Sequence, residues 1–132
     1  MKALDTNIIV RFLVNDDAKQ AQAVYHLFKE TEAAKGTLFV PLMVVLETIW
    51  VLESVYSISR HEIIEIFKEL LLMPILKFES QPAVQAFIES AMNSSTELAD
   101  ILIAQSARHS GCESILTLDK RASKSALFEL LR

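Results

Sequence analysis

MKALDTNIIVRFLV, residues 1–14, holds two periodicities in one short stretch. Lys2–Leu4 reads as a strand and Ile8–Val14 as a short helix, with Asp5, Thr6 and Asn7 between them. All three polar residues are good helix N-caps, so capping alone accounts for the break. The acid nevertheless follows directly on an apolar strand, and the C-terminal strand ends of an open parallel sheet are where ligands bind. Two roles for Asp5 are therefore open at this point.

The strand-then-helix unit recurs along the chain. Asp16 and Asp17 cap a helix running to about Glu32, with Ala21, Val24, Leu27 and Phe28 on one face. Thr37–Val40 is strand-like, and Pro41 suits the first turn of a helix carrying Leu42–Glu53. Ser59 caps Arg60–Met73, in which Ile63, Ile64, Phe67, Leu70 and Leu71 recur at helical spacing before Pro74 stops it. Ile75–Phe78 is a third strand, Pro82–Ala91 and Leu98–Ser110 are helices, and Ser114–Leu118 is a fourth strand ending in Asp119. The tail, Lys120–Arg132, is expected to be partly helical. Strands separated by helices need crossover connections, which predicts an α/β fold with a small, mainly parallel sheet of about four strands and helices on both faces. No repeat, low-complexity segment or linker divides the sequence, so residues 1–132 are expected to form a single domain.

Composition narrows the function classes. At 132 residues and 52% apolar content, with two Gly and three Pro, the chain has material for a real core. The longest apolar run, Val40–Leu52, is short and contains Glu47, so no membrane span is expected. A lone cysteine, Cys112, rules out an internal disulfide and a Cys-based zinc site and fits a reducing cytoplasm. The net charge of −4 argues against a surface built for non-specific nucleic-acid binding but leaves a local basic rim open. Lys120, Arg121 and Lys124 form the one tight basic cluster.

Four acids stand out by context. Asp5 and Asp119 end the first and last expected strands. Glu47 is the single charge in VPLMVVLETIWVL (40–52), and Asp100 lies within LADILIAQSA (98–107). Both helices are apolar nearly all round, which predicts that Glu47 and Asp100 are largely buried. A buried carboxylate takes up a proton or finds a cation, yet no Lys or Arg stands three or four residues from either. Each acid has an ordinary reading: Asp5 as a cap, Glu47 at a helix edge, Asp100 holding a distant arginine, Asp119 as a turn residue. As a set they fit one carboxylate site better than four coincidences. Converging carboxylates repel by on the order of 4 kcal/mol per pair at about 4 Å and an effective dielectric near 20. A divalent cation removes that cost, and oxygen-only ligation favours Mg²⁺ or Mn²⁺. His26, His61 and His109 lack metal-ligand spacing.

The ordered set ALDTN (3–7), VPLMVVLET (40–48), LADILIAQSA (98–107) and ILTLDKR (115–121) resembles the PIN-domain nucleases, and the small size resembles the VapC-type toxins of toxin–antitoxin pairs. The likeness runs from Lys2 to about Leu131. It implies a three-layer α/β/α fold and a metal-dependent endoribonuclease whose acidic quartet corresponds to Asp5, Glu47, Asp100 and Asp119, with Asp5 and Asp100 the firmest ligands. Thr6, Asn7 and Thr117 would stand beside the site to orient carboxylates or waters. One Mg²⁺ or Mn²⁺ ion, or a pair, would activate water for in-line attack on an RNA phosphodiester, leaving a 5′-phosphate and a 3′-hydroxyl. Arg11, Lys120 and Arg121 are the candidates for contact with the RNA backbone. Trp50, Phe12, Phe67 and Phe87 are expected in the core or at a dimer interface. The resemblance further implies a homodimer and an inhibitory antitoxin partner.

Three rival readings share parts of this pattern. A response-regulator phosphotransfer domain needs a phospho-acceptor Asp ending a central strand, and Ile75–Phe78 has none. An Asp-x-Asp phosphatase fails because Asn7 holds the second acid's place. The serious rival is a PIN-like RNA-binding or assembly module without catalytic activity.

Overall fold

The computed structural model describes residues 1–132, which divide into two compact units, Met1–Glu79 and Ser80–Arg132.

The first unit opens with strand β1 (Lys2–Ala3) and helices α1 (Thr6–Leu13) and α2 (Ala18–Ala33). Strand β2 (Leu38–Val40), helices α3 (Leu42–Ser54) and α4 (Arg60–Leu71), and strand β3 (Leu76–Phe78) complete it. The three strands pair in parallel in the order β1-β2-β3, with Lys2 opposite Leu38 and Val40 opposite Phe78. Helices make each crossover, as parallel pairing requires. Asp17 and Ser59 cap α2 and α4 by accepting hydrogen bonds from the Gln20 and Glu62 N–H groups, at 3.0 and 3.2 Å. Both bonds reach the third helical residue, the usual geometry of a side-chain cap. Pro41 sits one position earlier than the sequence suggests, at the N-cap of α3. Val40, Val45, Ile49, Leu52, Ile63 and Phe67 are fully or almost fully buried.

The second unit contains helices α5 (Gln81–Met92) and α6 (Leu98–His109), strand β4 (Ile115–Thr117), a 3₁₀ turn (Ala122–Lys124) and strand β5 (Phe128–Leu130). Ala83, Val84, Phe87, Leu98, Ile101 and Ala104 are buried along α5 and α6. Gly111 ends α6 with φ +98°, a conformation that disfavours a Cβ. Its N–H reaches the Arg108 carbonyl while the Cys112 N–H reaches the Ala107 carbonyl, the paired bonds of a Schellman cap.

Two expectations need correction. The strands do not make one sheet of about four: β4 pairs with β5 in a separate two-stranded parallel ladder, Ile115 opposite Phe128. The tail is helical only over the 3₁₀ turn, and FEL (128–130) is a strand. The ten residues between β4 and β5 are fewer than the dozen or more that a parallel crossover usually needs, so this pairing runs against the ordinary expectation. All strand pairs are nonetheless parallel, so the α/β class stands. No helix is long and apolar enough to cross a membrane.

Candidate metal centre

In the first unit, the backbone after β1 stays tied to the sheet through a 2.8 Å bond from the Leu4 N–H to the Phe39 carbonyl. Leu4 is buried and the next residue, Asp5, is exposed at the N-cap of α1. Its Oδ1 accepts a 2.7 Å hydrogen bond from the N–H of Thr6, the first helical residue. Unlike Asp17 and Ser59, Asp5 does not reach the second or third N–H, and Oδ2 accepts no hydrogen bond. The carboxylate is thus poorly used as a cap and still presents an oxygen to solvent. Asn7 beside it is exposed, while Thr6 is buried with no partner for Oγ1.

Glu47 corrects the expectation of burial: it is exposed on α3, one turn from Met43 and Trp50, which are exposed too. The apolar composition of α3 therefore extends onto a solvent face that hydropathy cannot tell from a core face. Solvation is enough to carry the Glu47 charge. Because β1 and β2 run parallel, Asp5 and the start of α3 leave the sheet at the same C-terminal edge.

Arg11 lies elsewhere in a polar cluster. Its guanidinium donates to Gln20 Oε1 at 2.9 Å, to the Tyr56 hydroxyl at 3.2 Å and to Asp16, and that hydroxyl donates to Asp16 Oδ2 at 2.8 Å. The Tyr56 bond, aided by the Asp16 charge, raises the arginine's pKa above its ordinary value despite partial burial. This side chain already ties α1 to the start of α2 and the end of α3.

In the second unit, Asp100 is half-buried in the first turn of α6. Burial raises its pKa, and the negative charges of Glu97 and Asp119 raise it further. Asp119 follows β4 and is held from both sides of the peptide. Its N–H donates to Thr117 Oγ1 at 3.0 Å, and its Oδ1 accepts from the Arg121 N–H at 2.9 Å. Thr117 thus positions Asp119, while the ordinary turn role of Asp119 is also real. Lys120 and Arg121 are exposed, and Arg121 approaches Glu97 only to 3.9 Å. Asp100 and Asp119 line the same open cavity of about 1070 Å³.

Within neither unit do three or more Asp, Glu, His or Cys side chains gather into a metal cage. The second unit does bring Asp100 and Asp119 into electrostatic contact. A half-buried carboxylate whose ionised form is disfavoured by burial and by the neighbouring Glu97 and Asp119 charges, with no thiolate nearby, fits a hard divalent cation. His26, His61 and His109 are all exposed, and His109 Nδ1 lies 2.8 Å from the Gln105 carbonyl oxygen.

Thr48, which follows Glu47 on α3, carries no functional signal in the sequence. It is fully buried and its Oγ1, like that of Thr6, has no hydrogen-bond partner. Only the fold reveals this, since a Thr in an apolar helix is unremarkable in sequence. An orphaned buried hydroxyl costs roughly 1–3 kcal/mol. Thr48→Val is therefore expected to raise unfolding free energy by about 1 kcal/mol in urea denaturation, allowing for relaxation around the site.

The PIN domain family profile matches residues 2–126 and so runs through both units. Among curated proteins, the VapC ribonuclease of Aquifex aeolicus (strain VF5) is 26% identical over 124 residues, covering 94% of this chain and 91% of that relative. An acid after the first strand, an acid in the helix after the second, and an acid pair in the last third thus fall within one matched span. The chain belongs to the PIN-domain family.

Proposed function

We propose that the protein is a metal-dependent endoribonuclease of the VapC type, with residues 1–132 acting as one PIN domain. The observation that carries the reading is the Asp100–Asp119 pair: two mutually repelling carboxylates in an open cavity, within a chain whose family match includes a ribonuclease. Asp5, Glu47, Asp100 and Asp119 hold Mg²⁺ or Mn²⁺ in this reading. A bound divalent ion supplies a water of lowered pKa and offsets charge building on the phosphate oxygens. The protein's own residues set the ligands. Thr117 fixes the backbone of Asp119, and Asp5 keeps one carboxylate oxygen unused by the fold. Lys120 and Arg121 are exposed and available to RNA phosphates, whereas Arg11 reaches RNA only by giving up its pairing with Asp16.

The family likeness extends the proposal to a homodimer acting in the cytoplasm and restrained by a cognate antitoxin. An antitoxin reading frame abutting this one is expected, and its absence would leave the nuclease and remove the toxin pairing. The activity is tested by incubating the purified chain with RNA in Mg²⁺, in Mn²⁺ and in excess chelator. Cleavage in either metal, none in chelator, and 5′-phosphate products are expected. Cleavage that persists in chelator, or 2′,3′-cyclic phosphate ends, would overturn the proposal.

A further inference from the structure

The cavity of the second unit is longer than the acid pair needs. Its wall follows α6 from Asp100 in the first turn to Arg108 in the last, and the 3₁₀ turn adds Arg121 and Lys124. Eight residues of helix separate Asp100 from Arg108 by about 12 Å, so they cannot serve the same phosphate. Arg108 and Lys124 are exposed, and neither side chain has an ion-pair partner within the protein. Short polar side chains such as Ser90 and Ser95 line the remainder, together with the His109 ring. The open cavity, about 1070 Å³, is lined largely by polar and charged side chains, whereas the walls of a small-molecule pocket are mostly apolar.

From this arrangement we infer that the cavity is a track for a single RNA strand flanking the scissile phosphate, in which Arg108 and Lys124 each bind a backbone phosphate. The inference rests on the nuclease reading for its choice of ligand. Arg108, two turns of α6 from Asp100, and Lys124 on the 3₁₀ turn attract phosphates that do not react, and the polar lining suits ribose and phosphate oxygens. The track holds the strand chiefly through its phosphates, so it binds with little sequence preference. Glu89, Glu97, Asp100 and Asp119 also face the cavity, and their repulsion keeps the strand's hold dependent on those cations.

The test is fluorescence anisotropy of the full chain with a short labelled oligouridylate, in chelator so that no cleavage occurs, across a salt series. Each single-strand phosphate contact contributes about 0.7 to the slope of log affinity against log salt. Arg108→Gln and Lys124→Gln are each expected to lower that slope by about 0.7, and the double variant by about 1.4. Lys19→Gln, which removes the same charge from α2, is expected to leave it unchanged. A double variant with the wild-type slope, an equal loss in Lys19→Gln, or a wild-type chain that does not bind the oligonucleotide would overturn the track. Cleavage by the wild type in Mn²⁺ is scored separately. Cleavage with an unchanged slope refutes the track alone, and a lowered slope without cleavage refutes the nuclease reading alone.

Discussion

Asp5→Asn is expected to abolish RNA cleavage while leaving the melting temperature close to that of the wild type. Asn is as good an N-cap as Asp, so whatever stability Asp5 gives α1 survives the change. The 2.7 Å bond from the Thr6 N–H needs only a carbonyl-type oxygen, which the amide retains. The negative charge and the second acceptor oxygen are lost, and those are what a hard cation needs. Loss of a group that merely supports a metal ligand typically costs 10–100-fold, so loss of a ligand should exceed about 100-fold in turnover. Asp5→Ala is the contrasting variant: it should lose activity equally and also up to about 1 kcal/mol of stability from the missing cap. Cleavage rates and thermal melts of the two variants separate capping from ligation. Full activity in folded Asp5→Asn would return Asp5 to a cap and favour a binding module without catalysis.

The second large effect lies in the core. Phe87→Ala is expected to destabilise the protein by about 3–5 kcal/mol, from lost transfer free energy and the cavity left behind. Phe87 is 0% exposed on α5, where Ala83, Val84, Ile88 and Ala91 are also buried. Its ring is among the largest fully buried side chains in the chain. Against a whole-domain stability of roughly 5–15 kcal/mol, that loss leaves little margin. Trp50→Ala is the control: Trp50 is 62% exposed, and a surface substitution of this kind falls within about ±0.5 kcal/mol. Urea denaturation measures both. A Phe87→Ala loss below that of Trp50→Ala would contradict the assignment of α5 to the core.

Sequence periodicity located most elements because their boundaries carry strong local chemistry. Asp17, Ser59 and Gly111 fix helix ends through hydrogen bonds or backbone conformation that residue type alone predicts. Strand β5 is hidden in the sequence because ALFELL (126–131) also suits a helix and the link to β4 is shorter than a parallel crossover usually is. The same locality limits the site. Asp100 was legible as an acid in apolar company, and burial does shift it. Glu47 had similar company yet is exposed, since composition does not say which helix face meets solvent. The incomplete cap at Asp5 and the orphaned Thr48 hydroxyl depend on interatomic geometry that no residue pattern encodes.

The claim on which the function depends is that these carboxylates bind a divalent ion. Mn²⁺ titrated into the chain and followed by its electron paramagnetic resonance measures this without any RNA. Asp100→Asn keeps the side chain's shape and removes the charge that Glu97 and Asp119 oppose, so its metal-free melting temperature is expected not to fall. Saturable Mn²⁺ binding to the wild type and its loss in Asp100→Asn are expected. Equal binding by both proteins, or none by the wild type, would rule out a metal site at these carboxylates.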